Sequence, residues 1–215
     1  MTHSLHRMGT AESLRDDFVL IARPALGFND KGAGRKIGRM LEIIFEVGPA
    51  NIGFLETGDL LPRGFDPAEV ISKMNDSSGI RCSFSSREKL KEVLRRFKEE
   101  DLGISVTVSG IIDDVFAICD EVGLDPHSIN LSLGVHGNIG LLPEDEVLEL
   151  TTMCGHALVA ASLAKKGIED VRCGRMSSKD AALMVGMPCA CGLFNLDRAA
   201  AILSSLSAGD PSNGA

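Results

Sequence analysis

The sequence predicts an α/β fold in which βα units build a largely parallel sheet and a helical C-terminal third carries a cysteine site. Three observations lead there. Strand-like and helix-like segments alternate from Phe18 to about Gly140. The last three strand-like segments begin near residues 80, 104 and 129, a spacing that fits consecutive βα units with crossover helices. After Gly140 the apolar spacing is helical, with no strand-like run between. A ferredoxin-like α/β sandwich is the competing topology. The expected organisation is a flexible N-terminal segment over 1–17, an α/β domain over 18–140, a helical cysteine-containing region over 141–207 packed on it, and a flexible tail over 208–215.

Taken in order, "FVLIARPA" reads as a buried strand and "LGFNDKGAG" as the loop after it. "RKIGRMLEIIFEVG" is an amphipathic helix and "ANIGFLETG" a strand. "DPAEVISKMN" starts a helix with an Asp cap and Pro at its first position. "IRCSFS" is a strand, and the following helix over 86–101 sets Leu90, Val93, Leu94 and Phe97 on one face. "ISVTVSG", "IIDDVFAICDEVG" and "INLSLGVHG" continue as strand, helix, strand. Helices are then expected over 142–167, 177–186 and 195–207.

Composition narrows the function. Apolar residues make up 44 % and charged residues 24 %, a globular balance. Trp and Tyr are absent and the net charge is −8, which argues against nucleic acid, since phosphate binding wants a basic face and base stacking wants aromatics. The first 17 residues lack the apolar run of a signal peptide, and no stretch is long and apolar enough to cross a bilayer. The expectation is a cytoplasmic protein with no membrane partner, whose six cysteines are thiols or metal ligands rather than disulfides.

Three of those cysteines fall in unusual company. In "MPCACGLFN", Cys189 and Cys191 stand between Pro188 and Gly192, and an extended backbone would send both sulfurs to one side. Asn195 reads as the cap of the next helix. In "TTMCGHALV", Thr151 or Thr152 could cap a helix that opens at Cys154, whose N-terminal charge would favour a thiolate. His156 would sit about 200° from Cys154 on a regular helix, so it joins Cys154 only if the stretch is a turn. Its readings are metal ligand, proton-transfer group, or ordinary helix residue. Cys173 is a loop candidate for a fourth ligand, while Cys82 and Cys119 read as core.

Cys154, Cys189 and Cys191 as ligands suit an iron–sulfur cluster, of the [4Fe-4S] kind, because thiolates at irregular spacing can hold one. A zinc site is the alternative, although neither half has the usual paired spacing. The motifs "TTMCGHALV", "PCACGLFNLDRA" and "NLSLGVHGN" resemble a small, poorly characterised family of proteins from anaerobic microbes, over most of the chain from Phe18 to the last helix. That resemblance implies a cluster and an anaerobic setting, with no defined reaction.

Two loops could face the cysteines. "GFNDKGAGRK" opens a helix as phosphate loops do, offering Asn29, Lys31 and Arg35 to a small anionic substrate, though it is neither a Walker A nor a dinucleotide fingerprint. "SLGVHGNIG" sets His136 just beyond an expected last strand, where open parallel sheets bind ligands. The leading expectation is a small iron–sulfur enzyme with an open iron for Lewis-acid or sulfur-transfer chemistry, His136 or His156 moving protons. The alternative is non-catalytic: a cluster carrier, a maturation or redox-sensing protein working with a partner protein, or a zinc-stabilised binding domain. A homo-oligomer is compatible with either.

Overall fold

A computed structural model describes residues 4–208. The tail expected over 208–215 lies, apart from Ala208, outside the described residues. In chain order the elements are α1 (Ala11–Leu14), β1 (Phe18–Arg23), α2 (Ala33–Val47), β2 (Asn51–Ile52), α3 (Pro67–Ser72), β3 (Ile80–Phe84), α4 (Arg87–Glu100), β4 (Ser105–Ser109) and α5 (Ile112–Val122). The C-terminal helices are α6 (Asp145–Thr151), α7 (Ala161–Arg172), α8 (Ser178–Gly186) and α9 (Leu196–Ala208).

The sheet runs β2-β3-β1-β4 and every neighbouring pair is antiparallel. The largely parallel sheet is thereby overturned. Helix α2 does carry the chain from β1 to a strand of the same direction, and α4 does so from β3. In each case, however, a strand of the other unit lies between the two that the helix connects. This interleaving is the split β-α-β pattern of the ferredoxin-like sandwich. Spacing along the chain reports that a crossover exists; it does not report which strand lies next door.

Central β1 nonetheless has the look of a strand from a parallel sheet. Its first five residues are all buried, the continuous apolar run that parallel strands show when helices cover both faces. Both faces are indeed covered. Phe18, Leu20 and Ala22 enter a core with Ile37, Leu41 and Ile44 of α2 and Leu90, Val93 and Leu94 of α4. Val19 and Ile21 enter a second core made by α6 to α9. The second cover comes from the C-terminal helical third, not from further βα units.

Local chemistry fixes the helix starts. Asp66 accepts a hydrogen bond from Ala68 N at 2.9 Å with Pro67 at the first position of α3, and Ser86 accepts from Lys89 N to open α4. The strand expected over 129–137 does not form. Residues 125–141 run as exposed chain with one short 3-10 turn, Ile139–Leu141. The long helix expected over 142–167 is two helices, α6 and α7, separated by the stretch that holds Cys154 and His156.

Candidate functional site: a chain of three thiols

The loop between α8 and α9 supplies two sulfurs. Rather than extended, it is a tight turn: Cys189 N donates to Gly186 O, Ala190 N to Pro188 O and Gly192 N to Cys189 O. The turn brings the Cys189 and Cys191 sulfurs to 3.7 Å. Its position is set by glycine against glycine. A Cβ on Gly192, whose φ is +69°, would stand 2.1 Å from Gly53 N, just past the end of β2. Only two residues without side chains let the turn lie against the sheet edge here.

Beyond the turn, Asn195 opens α9 as expected, accepting from Arg198 N at 3.1 Å. Its amide also donates to buried Asp17 at 3.0 Å. Asp17 takes two further partners, Arg7 at 2.6 Å and Arg198 at 2.8 Å, and Arg7 also donates to Leu193 O. Met8 N donates to Thr152 Oγ1, so residues 7 and 8 touch both cysteine-bearing loops. Sequence reasoning missed Arg7, Asp17 and Arg198. The one signal was an acidic residue directly before a fully apolar strand, where an unpaired carboxylate would be costly to bury.

The third sulfur comes from the turn after α6. Thr151 ends that helix and does not cap a new one, so no helix N-terminus stands behind Cys154. Cys154 N donates to Thr151 O, Ala157 N donates to Cys154 O, and Ala157 takes a φ of +55°. The Cys154 thiol is pulled well below its ordinary value by a hydrogen bond from Cys189 and, against the effect of burial, by the N–H groups of Leu158, His156 and Val159. Cys191 is also pulled down, by Cys189 first and then by the Leu193 N–H and the His156 imidazole. Cys189, hydrogen-bonded to both neighbours and buried, is pushed far up. Cys189 therefore holds its proton longest, and its single S–H is shared between its two neighbours. His156 reaches Cys191 with Nδ1 at 3.5 Å, and it does so because the stretch is a turn.

All three cysteines are buried, but Cys154 lines a cavity of about 370 Å³ together with His6, Thr151, Thr152, Gly155 and Ala157. Cys154 is therefore the thiol that a small molecule can meet.

No protein-family model matches this chain, and neither a curated protein nor a solved structure matches it. The site must be read from its own geometry.

That geometry corrects the metal reading. Among the described residues no group of three or more His, Cys, Asp or Glu side chains is arranged to hold a metal ion. What the site shows is a sulfur pair, Cys189 and Cys191 at 3.7 Å, with His156 Nδ1 3.5 Å from Cys191. The [4Fe-4S] cluster and the zinc alternative fall on this ground, and the open-iron enzyme falls with them.

The remaining candidates lie elsewhere. Asn29 holds its own loop, accepting from Ala25 N at 2.6 Å and donating to Gly103 O at 2.7 Å. Lys31 and Arg35 are exposed at the start of α2, which packs on the sheet face opposite the cysteines. The anion position at that helix start is filled by the protein itself. Asp76 accepts from Gly34 N at 3.0 Å and Gly32 N at 2.9 Å, and these bonds hold its carboxyl below the usual range. His136 lies in the exposed chain that begins beside β4, whereas the cysteine turn abuts β2 at the other edge of the sheet. Cys173 is exposed at the end of α7. Cys82 and Cys119 are buried away from the three, and burial pushes both thiols up.

Proposed function

We propose that the protein is a non-catalytic thiol redox sensor whose reacting groups are Cys154, Cys189 and Cys191. The observation that carries this reading is the close pair of Cys189 and Cys191 sulfurs with His156 beside it, next to a Cys154 thiol of lowered pKa that lines a cavity. The co-reactant is a low-molecular-weight disulfide. The Cys154 thiolate attacks one sulfur of that disulfide, forming a mixed disulfide and releasing one small thiolate. Cys189 passes its proton to the Cys191 thiolate and attacks the Cys154 sulfur, which expels the second small thiolate. Cys154 and Cys189 are oxidised to one disulfide, the small disulfide is reduced to two thiolates, and the proton rests on Cys191.

The new bond would tie the α6–α7 loop to the α8–α9 loop and remove the Cys189 proton that the neighbouring sulfurs share. All six cysteines are free, which fits a reducing compartment and hence the cytoplasm, where such an oxidation would be a signal. Among the described residues no helix is long and apolar enough to cross a membrane.

The test is exposure of the native protein to glutathione disulfide, followed by alkylation and peptide mapping. The expected product links the Cys154 and Cys189 peptides, and Cys189→Ser should stop at a glutathione adduct on Cys154. Alkylation of Cys154 undiminished after treatment would refute the reading, as would stoichiometric metal in protein prepared without oxygen.

A further inference from the structure

Strand β4 is an edge of the sheet. β1 pairs with one side of it, and among the described residues no strand pairs with the other. Beside that open edge lies a cavity of about 1040 Å³, lined by Phe97, Val106, Val108, Phe116 and Leu124 and bordered by Ile129 to Ser132. From Ile129 the chain exposes large apolar side chains in a regular order. Ile129, Leu131, Leu133 and Val135 are 52, 68, 87 and 53 % exposed, with Asn130, Ser132 and Gly134 between them. Ile139 and Leu141 continue the exposed run.

Alternation of this kind is the pattern of a strand with one face to bury, yet the segment pairs with nothing in its own chain. Strand edges that stay in water are usually guarded by charges or proline. Neither Ser105–Ser109 nor Ile129–Val135 contains a charged residue or a proline. Two uncharged partners can therefore meet although each chain carries a net charge of −8.

We propose that this face is a homodimer interface, in which Ile129–Val135 of each copy adds as a strand to the β4 edge of the other. Each chain holds both the strand and the edge, so one two-fold arrangement satisfies both and closes. Main-chain hydrogen bonds provide the pairing, and the groove beside β4 receives the alternate side chains. Area comes from two places in each copy: the exposed apolar side chains of residues 129–135, and the apolar groove beside β4 that receives the other copy's strand. A stable interface takes about 800 Å² from each partner.

Sedimentation equilibrium of the full chain tests the proposal, combined with amide hydrogen exchange. The expected mass is twice that of the chain, with slow exchange at Ser105–Ser109 and at Ile129–Val135. L131D/L133D changes two exposed side chains, and it should sediment as a monomer with fast exchange in both segments while β1 and β3 stay protected. A wild-type monomer would overturn the proposal, including a monomer in which 129–135 exchanges slowly because it folds onto its own β4. A dimer that survives L131D/L133D would overturn it equally.

Discussion

Cys82 and Cys154 are buried to nearly the same extent, at 0 % and 2 % exposure, yet their chemistry diverges. Cys82 sits in β3, where ladder pairing with β1 and β2 uses the backbone amides, and its sulfur finds only Leu20 O at 3.9 Å. Burial then acts alone and pushes the thiol up. Cys154 sits in a turn whose amides have no ladder to join, and Cys189 with the N–H groups of Leu158, His156 and Val159 pulls its thiol down against burial. Burial does not decide whether a cysteine is inert. What decides it is whether unspent backbone donors surround the sulfur.

The largest expected effect comes from breaking the frame that holds the reactive side. Asp17 is buried between two guanidiniums, and Asp17→Ala takes the anion from Arg7 and leaves Arg198 with only the longer 3.5 Å pair to Glu149. Stability should fall by about 3–5 kcal/mol in urea unfolding. Native Cys154 should then alkylate with the kinetics of an unfolded chain. If stability hardly changes, the buried network is not what holds the cysteine loops in place.

Reactivity comes next. At neutral pH the native protein should react with iodoacetamide at Cys154 on the order of 100-fold faster than at Cys82, because only the former is both ionised and beside a cavity. Equal rates, read by mass mapping over time, would erase the distinction between the two sites.

The pH dependence of stability should separate them by sign. A thiol whose folded value is lowered, as at Cys154, contributes stability that is full above the ordinary thiol value and is lost as pH falls through the lowered one. Cys82 is raised, so its contribution is full below the ordinary value and is lost as pH climbs through the raised one. Cys154→Ser should flatten the rise in stability between weakly acid and mildly basic pH; Cys82→Ala should leave that rise unchanged. Urea midpoints at two pH values check this.

The smallest effect is expected at Cys173. It is exposed at the end of α7, so Cys173→Ser should shift stability by less than about 0.5 kcal/mol and leave the Cys154–Cys189 product intact.

Much of this was legible where a local rule suffices. The apolar face of α4, the Asp66 and Asn195 caps and the association of Cys-Gly-His with Cys-x-Cys could all be read from neighbouring residues. The strand order could not, because interleaving is decided by contacts far apart in sequence. Nor could the fate of "INLSLGVHG", whose alternation specifies a strand without specifying the chain it pairs with. At the site, the motifs pointed to one thiol centre without saying how its sulfurs would be oriented. A metal needs its ligands to converge on a centre, and among the described residues no such group forms. Arg7 and Asp17 carried no motif, since their role depends on Asn195 and Arg198 at the far end of the chain.

Ultraviolet titration of thiolate absorbance in the folded, metal-free protein tests the central claim most directly. Two thiolates should form below the ordinary thiol range. Cys154→Ala and Cys191→Ala should each remove one, and Cys189→Ala should move both survivors back toward the ordinary value. Titration of Cys154 and Cys191 at the ordinary value, unmoved by Cys189→Ala, would contradict the account.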